Sequence, residues 1–155
     1  MGRYIDEILQ PDEKVLYSTK PHWMFFLPAI GLWILAAALF VLSGMIPQGA
    51  AVLVLWSLAV IVAIVAVYKT ATAWFHRWTT ETDVTTFRIV HKTGFIQRRT
   101  FEMSLDKVES VDVYQSIMGR ILNYGDVTIL GVGEGKENIS TIASPLAFRN
   151  AITTR

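Results

Sequence analysis

Four carboxylates crowd one short stretch of the chain: Glu102, Asp106, Glu109 and Asp112. Paired carboxylates do general acid–base chemistry only where they converge on one substrate. The stretch reads as a strand, and on a strand Glu109 and Asp112 point to opposite faces. The cluster is therefore read as a solvated surface. The histidines His22, His76 and His91 lack the i, i+4 spacing of a helical metal pair. His22 and His76 both flank apolar stretches and are candidates to lie close together. Two histidines without carboxylate or thiolate support make a weak metal site. The run GVGEG at 131–135 lacks the lysine and following helix of a phosphate loop and reads as a hairpin turn. The NIS triplet at 138–140 matches a glycosylation sequon, which a cytoplasmic strand would not present to that machinery. No catalytic residue, metal site or cofactor is expected, and no enzyme.

The remaining cluster is basic. Arg88 and Lys92 fall on one predicted strand, Arg98 and Arg99 on the next. Such a patch suits anionic lipid headgroups, at about 1 kcal/mol per basic residue close to the surface. It suits equally a strand face paired with Glu102 and its neighbours, and the residues alone do not choose. The net charge of +1 is far from the basic excess of a nucleic-acid binder, so no nucleic-acid partner is expected. There are no cysteines, hence no disulfide framework and no thiolate metal site. The acidic residues near the start do not fit a cleavable signal peptide, and Asp6 breaks the myristoylation pattern.

These residues belong to a chain whose apolar content is unevenly spread. It has 155 residues, 52% of them hydrophobic, yet residues 24–68 contain no Asp, Glu, Lys, Arg or His. The stretch MFFLPAIGLWILAAALFVLSGMI, 24–46, is long enough as a helix to cross a hydrocarbon core of roughly 30 Å. AAVLVLWSLAVIVAIVAVY, 50–68, is just long enough, and PQG between them is a turn. A soluble reading would require both helices to be covered all round by a domain too small to do so. A transmembrane helical hairpin over 23–69 is expected. Lys20 precedes it, Lys69 and Arg77 follow it, and the connecting turn carries no charge. By the positive-inside rule both termini face the cytoplasm.

Trp23, Tyr68, Lys69, Trp74, Arg77 and Trp78 are the expected membrane-interface residues. Folding at Pro47 brings Ala36, Ala37 and Ala38 to the depth of Ala59 and Ala63, where small residues permit close helix approach or simply face lipid. No ionisable group lies at membrane depth, which argues against an ion or proton path.

Past Trp78 the period changes to two. Strands are expected at 85–93, 95–103, 108–113, 126–132 and 137–143, with Gly94 at a hairpin position that needs positive φ. Two more, 14–20 and 74–80, would flank the hairpin. Residues 144–155 read as a helix, with Ser144 as N-cap, Pro145 in the first turn, and Leu146, Phe148, Ala151 and Ile152 as its apolar face. Near the start, Ile5, Ile8 and Leu9 suggest a short amphipathic helix that lies on lipid, on the module or on another subunit, with protein contact preferred.

The run VHKTGFIQRRTFEMSLDKVESVDVYQSIMGRILNYGDVTI resembles the bacterial pleckstrin-homology-like domain family. The shared elements are Thr93-Gly94 with Arg98 and Arg99, then LDKVESV at 105–111, QSIMGRILNYGDVTI at 115–129, and IASPLAFRNAI at 142–152. The likeness covers residues 74–152, and many members carry two membrane helices in front. It implies a partly open β-barrel of about seven strands closed by a C-terminal helix. In that reading Ile117, Met118, Ile121 and Leu122 form a helical turn packing on the barrel, and Gly125 starts the next strand where a side chain would clash. Phosphoinositide sites of the eukaryotic relatives cluster basic residues at the first hairpin. The comparable turn here, TETDVTT at 80–86, has none.

The expectation is an α+β membrane protein in three parts: an N-terminal cytoplasmic segment (1–22), the hairpin (23–69) and a PH-like domain (70–155). Its expected place is the bacterial inner membrane. Its expected role is a non-enzymatic scaffold or adaptor whose partners are the lipid bilayer and either copies of itself or another membrane protein. The alternative is a lipid-headgroup module acting in membrane or envelope-stress homeostasis.

Overall fold

The computed structural model describes residues 4–47, 49–94, 97–133 and 135–154. The chain divides into two compact units. One comprises Met1–His22 with His76–Arg155, the other Trp23–Phe75.

The second unit is an antiparallel helix pair. A 3-10 turn, Trp23–Phe26, leads into α2, Leu27–Met45, which carries a proline in its first turn, where no intrahelical N–H is lost. α3 spans Ala50–Thr79. Trp33 Nε1 donates to Thr70 Oγ1 at 3.2 Å, and Phe40 meets Trp56 edge to face at 4.8 Å. The residues most withdrawn from solvent are small and seven apart: Ala29, Ala36 and Ser43 on α2, Ala59, Ala66 and Ala73 on α3. Small residues let helix backbones approach in a medium that supplies no hydrophobic drive. Ala36 and Ala59 fit the expectation, whereas Ala37 and Ala38 are exposed and Ala63 is half-buried. Both helices are long and apolar enough to cross a membrane, and only 11% of the most apolar window of each is covered by protein. A core helix of a soluble domain would be mostly covered.

α3 corrects two expectations at once. It runs ten residues past 69, and residues 74–79, expected as strand, are its last turns. No Gly or Pro interrupts it, and the hydroxyls of Thr70, Thr72 and Thr79 bond back to carbonyls of their own helix. The division between the two compact units falls at 75/76, within α3.

The first unit is the β-module. α1 (Tyr4–Ile8) precedes β1 (Val15–Thr19), and after the helix pair come β2 (Glu81–Thr85), β3 (Arg88–Thr93), β4 (Arg99–Ser104) and β5 (Val108–Tyr114). α4 (Ile117–Leu122), β6 (Tyr124–Gly131), β7 (Lys136–Ala143) and α5 (Pro145–Thr153) complete it. All strands are antiparallel, in one sheet ordered β1-β2-β3-β4 and another ordered β5-β6-β7. The sheets meet at one corner: Ala143 N donates to Lys20 O, Pro21 bridges Ile142, and His22 N donates to Thr141 O. The expected barrel is thus two sheets, with no strand ladder joining β4 to β5 among the described residues. One apolar cluster unites them: Val84, Ile89 and Met103 from the first, Val127, Ile129, Ile139 and Ile142 from the second, with Phe148 and Ile152 of α5.

The strands differ from expectation most at one place. β2 is the segment read as a polar turn, and four of its five residues are buried. Its polar side chains are matched: Thr82 Oγ1 shares a 2.8 Å hydrogen bond with His91 Nδ1, and Thr85 Oγ1 donates to Glu13 Oε1 at 2.6 Å. β4 begins at Arg99; Phe95 and Ile96 lie outside the described residues. Gly94 has φ +83°, as its hairpin position requires. Ser144 stands at the N-cap of α5 as expected, but its side chain makes no capping bond; its backbone is left-handed and its hydroxyl accepts from Asn123 Nδ2 at 2.8 Å. On α5, Phe148 and Ile152 are buried as expected, but Leu146 is half exposed.

Candidate functional site

The four basic residues do not form one free patch. Arg88 is committed to holding the N-terminal segment. Its Nε donates to Glu13 Oε1 at 3.0 Å, its Nη2 to Glu13 Oε2 at 3.1 Å and to Ile8 O at 2.8 Å, and its Nη1 to Glu102 Oε2 at 2.8 Å. The Glu13 side chain is fully buried and also accepts from the Gln10 backbone at 2.9 Å. Burial alone would raise the Glu13 carboxyl. Hydrogen bonds from Thr85, Gln10 and Arg88, with the Arg88 charge, outweigh that and hold it below the ordinary range. Lys92 places its ammonium 4.8 Å from the centre of the Tyr4 ring, a cation–π contact, and Tyr4 N donates to Glu81 Oε2 at 2.9 Å. α1 therefore lies across the β2–β3 face of the module, the protein contact that the sequence preferred. Arg98 and Arg99 remain outward. Arg98 is exposed, and the Arg99 side chain, 79% exposed, touches Glu137 at 3.4 Å.

The residues expected at a membrane interface are spread along the helical part of the chain. Trp23 opens the 3-10 turn, Tyr68 and Lys69 sit within α3, and Trp74, Arg77 and Trp78 fall in its last turns. Ten residues of helix separate Tyr68 from Trp78, about 15 Å at 1.5 Å per residue. The aromatic residues of the set are all at least 41% exposed.

Among the described residues no group of three His, Cys, Asp or Glu side chains is placed to hold an ion. Burial, with Arg99 and His76 nearby, pushes His91 down to about 4, so its ring is neutral. His22 is also lowered, by burial and by the Arg77 charge, against a hydrogen bond to the Leu122 backbone. Glu109 and Asp112 are both exposed, because a β-bulge between Val108 and Ser110 resets the alternation that had set them on opposite faces.

One feature was not expected. In α4 the buried residue is Gly119, while Ile117 is 80%, Met118 54% and Ile121 71% exposed, with Leu122 half-buried. The packing assumed for the first three is overturned. The inner face of α4 has room only for hydrogen: a Cβ on Gly119 would stand 2.7 Å from Tyr124 O. Gly125 does start β6 where a Cβ would meet Tyr114 O at 2.6 Å. The available signal was Gly119 itself, since a glycine inside a helix marks a close backbone approach.

The Bacterial PH domain family pattern matches residues 25–152, which takes in both apolar helices as well as the strands and α5. No curated protein and no solved structure matches the chain. The matched span covers far more than half of the chain, and it extends the resemblance at 74–152 back through the helices. The chain belongs to the bacterial PH domain family.

Proposed function

We propose that this chain is a non-enzymatic scaffold, anchored by its helix pair in the bacterial inner membrane with both termini in the cytoplasm, that docks protein partners or copies of itself on its β-module. PH-like domains are in general non-catalytic modules. The observation that carries the reading is the pair of open sheet edges. Among the described residues β4 is strand-paired with β3 alone, and β5 with β6 alone. An open edge offers backbone donors and acceptors to an incoming strand. Sharing one membrane raises effective concentration, so weak edge contacts suffice for assembly. A photo-crosslinking residue at Thr100 or Ser110 in cells tests this, together with the mass of the detergent-solubilised protein. Discrete crosslinked species are expected. A strictly monomeric mass with no crosslinked neighbour at either edge would overturn the reading.

A second reading, headgroup binding, is favoured by the exposure of Arg98 and Arg99, and it narrows to those two because Arg88 and Lys92 are engaged within the module. Anionic lipid retained by the purified full chain should then drop when both are changed to Ala. Equal retention would set this reading aside.

A further inference from the structure

α4 is six residues long and firmly held. Ser116 Oγ accepts from Gly119 N at 3.0 Å, and Gln115 Nε2 donates to Gly119 O at 3.3 Å and to Tyr124 O at 3.0 Å. Asn123, with φ 56°, ends the helix, its N–H bonded to Gly119 O and its side chain to Ser144. This frame holds Ile117, Met118 and Ile121 outward, and Tyr114, the last residue of β5 before α4, is itself 71% exposed. Clustered exposed apolar side chains on a folded surface mark an interaction site.

Two observations select what covers this cluster. The first is charge: Arg120 stands within it, and residues 114–125 contain no Asp or Glu. The second is place. The His22 ring stacks on Tyr124 at 5.2 Å and hydrogen-bonds to the Leu122 backbone, at the end of α4. His22 is followed directly by Trp23, where the first apolar helix begins. The end of α4 thus touches the residue from which the chain passes into hydrocarbon.

We infer that α4 rests on the bilayer surface, with Ile117, Met118 and Ile121 in the headgroup–acyl boundary and Arg120 among anionic headgroups. This rests on the membrane reading of the helix pair. A short amphipathic element binds an interface in this way, through apolar area joined to electrostatic attraction. The contact would fix the distance of the β-module from the membrane, and with it which sheet edges a partner can reach.

The chain has no native cysteine, so single cysteines can be placed cleanly. An environment-sensitive fluorophore goes on Ile117→Cys, Ile121→Cys, Asp112→Cys and Leu58→Cys in the full protein, reconstituted in vesicles containing anionic lipid and lipids spin-labelled at a shallow and at a mid-chain depth. Blue-shifted, quenched emission at 117 and 121 is expected, with none at 112. The exposed positions spare the fold from the label. Water-like, unquenched emission at 117 and 121 beside a quenched 58 would overturn the inference and leave the membrane reading standing. A blue shift without lipid quenching, with the unlabelled Ile117→Cys protein forming 117–117 disulfides between copies under oxidation, would overturn it in favour of a self-association surface. An unquenched 58 would remove the membrane reading and this inference together.

Discussion

Two short helices on the β-module are treated in opposite ways. α1 buries Ile5 completely, its Ile8 carbonyl accepts from Arg88, and its Tyr4 ring lies against Lys92. α4, of similar length, turns Ile117 and Ile121 to the outside and puts a glycine inside. Both are apolar and both are anchored by hydrogen bonds. The difference is which face the anchors secure: in α1 they press the apolar side chains onto the sheet, and in α4 they hold the backbone down and the side chains away. Anchoring is therefore no measure of burial, and a rigid helix with a bare apolar face is a surface prepared for something else.

The contrast breaks most completely at Arg88. Changing it to Met leaves the buried Glu13 carboxylate without its cation, an uncompensated charge that costs about 3–5 kcal/mol. Hydrogen exchange on the full protein should speed up across residues 4–14, with α4 amides unchanged. Next comes Ile5→Ala, which opens a cavity under α1 and should cost about 2 kcal/mol at this terminal helix, read as a lower unfolding midpoint in detergent. Gly119→Ala strikes α4 from beneath: its methyl group meets the Tyr124 carbonyl, and overpacking of this kind costs about 1–3 kcal/mol.

A gentler probe is acid. The folded Glu13 carboxyl lies below its unfolded value, so its contribution is complete above the unfolded pKa and is lost as pH falls through the folded one. His91 acts in the same sense. Its unfolded value near 6.5 falls to about 4 on folding, so stability declines as pH drops between those values. Protection of the 4–14 amides, taken relative to their intrinsic exchange rate at each pH, should therefore fall in acid, and Glu13→Gln should remove its own part of that slope. The smallest effect belongs to Ile121→Ala, which should move the midpoint by no more than about 0.5 kcal/mol. The same truncation at Ile5 and at Ile121 is the sharpest form of the comparison; equal losses would end it.

Much of this architecture was legible in local pattern. The apolar stretches, the alternation of β3 to β7, the Thr93-Gly94 hairpin and the Pro145 helix start are all written within a few residues of where they act. What escaped depended on distance. Arg88 meets Glu13 across 75 residues of chain, and no periodicity announces such a partner. The polar β2 strand is buried because Glu13 and His91 answer its threonines, so composition alone reads it as a turn. Residues 74–79 look like strand by their aromatic and threonine content, but an uninterrupted helix propagates through them. For α4, spacing told which side chains share a face; only the nearness of the Tyr124 carbonyl told which face is inside.

β1 is separated from β2, the strand it pairs with, by both apolar helices. During synthesis the first sheet must therefore wait until the whole helix pair has emerged. The same threading governs release. One proteolytic nick near 22 leaves the module tethered through α3, and one near 76 leaves it tethered through the pairing of β1 with β2. Shedding the module intact would require two cuts, one on each side of the helices.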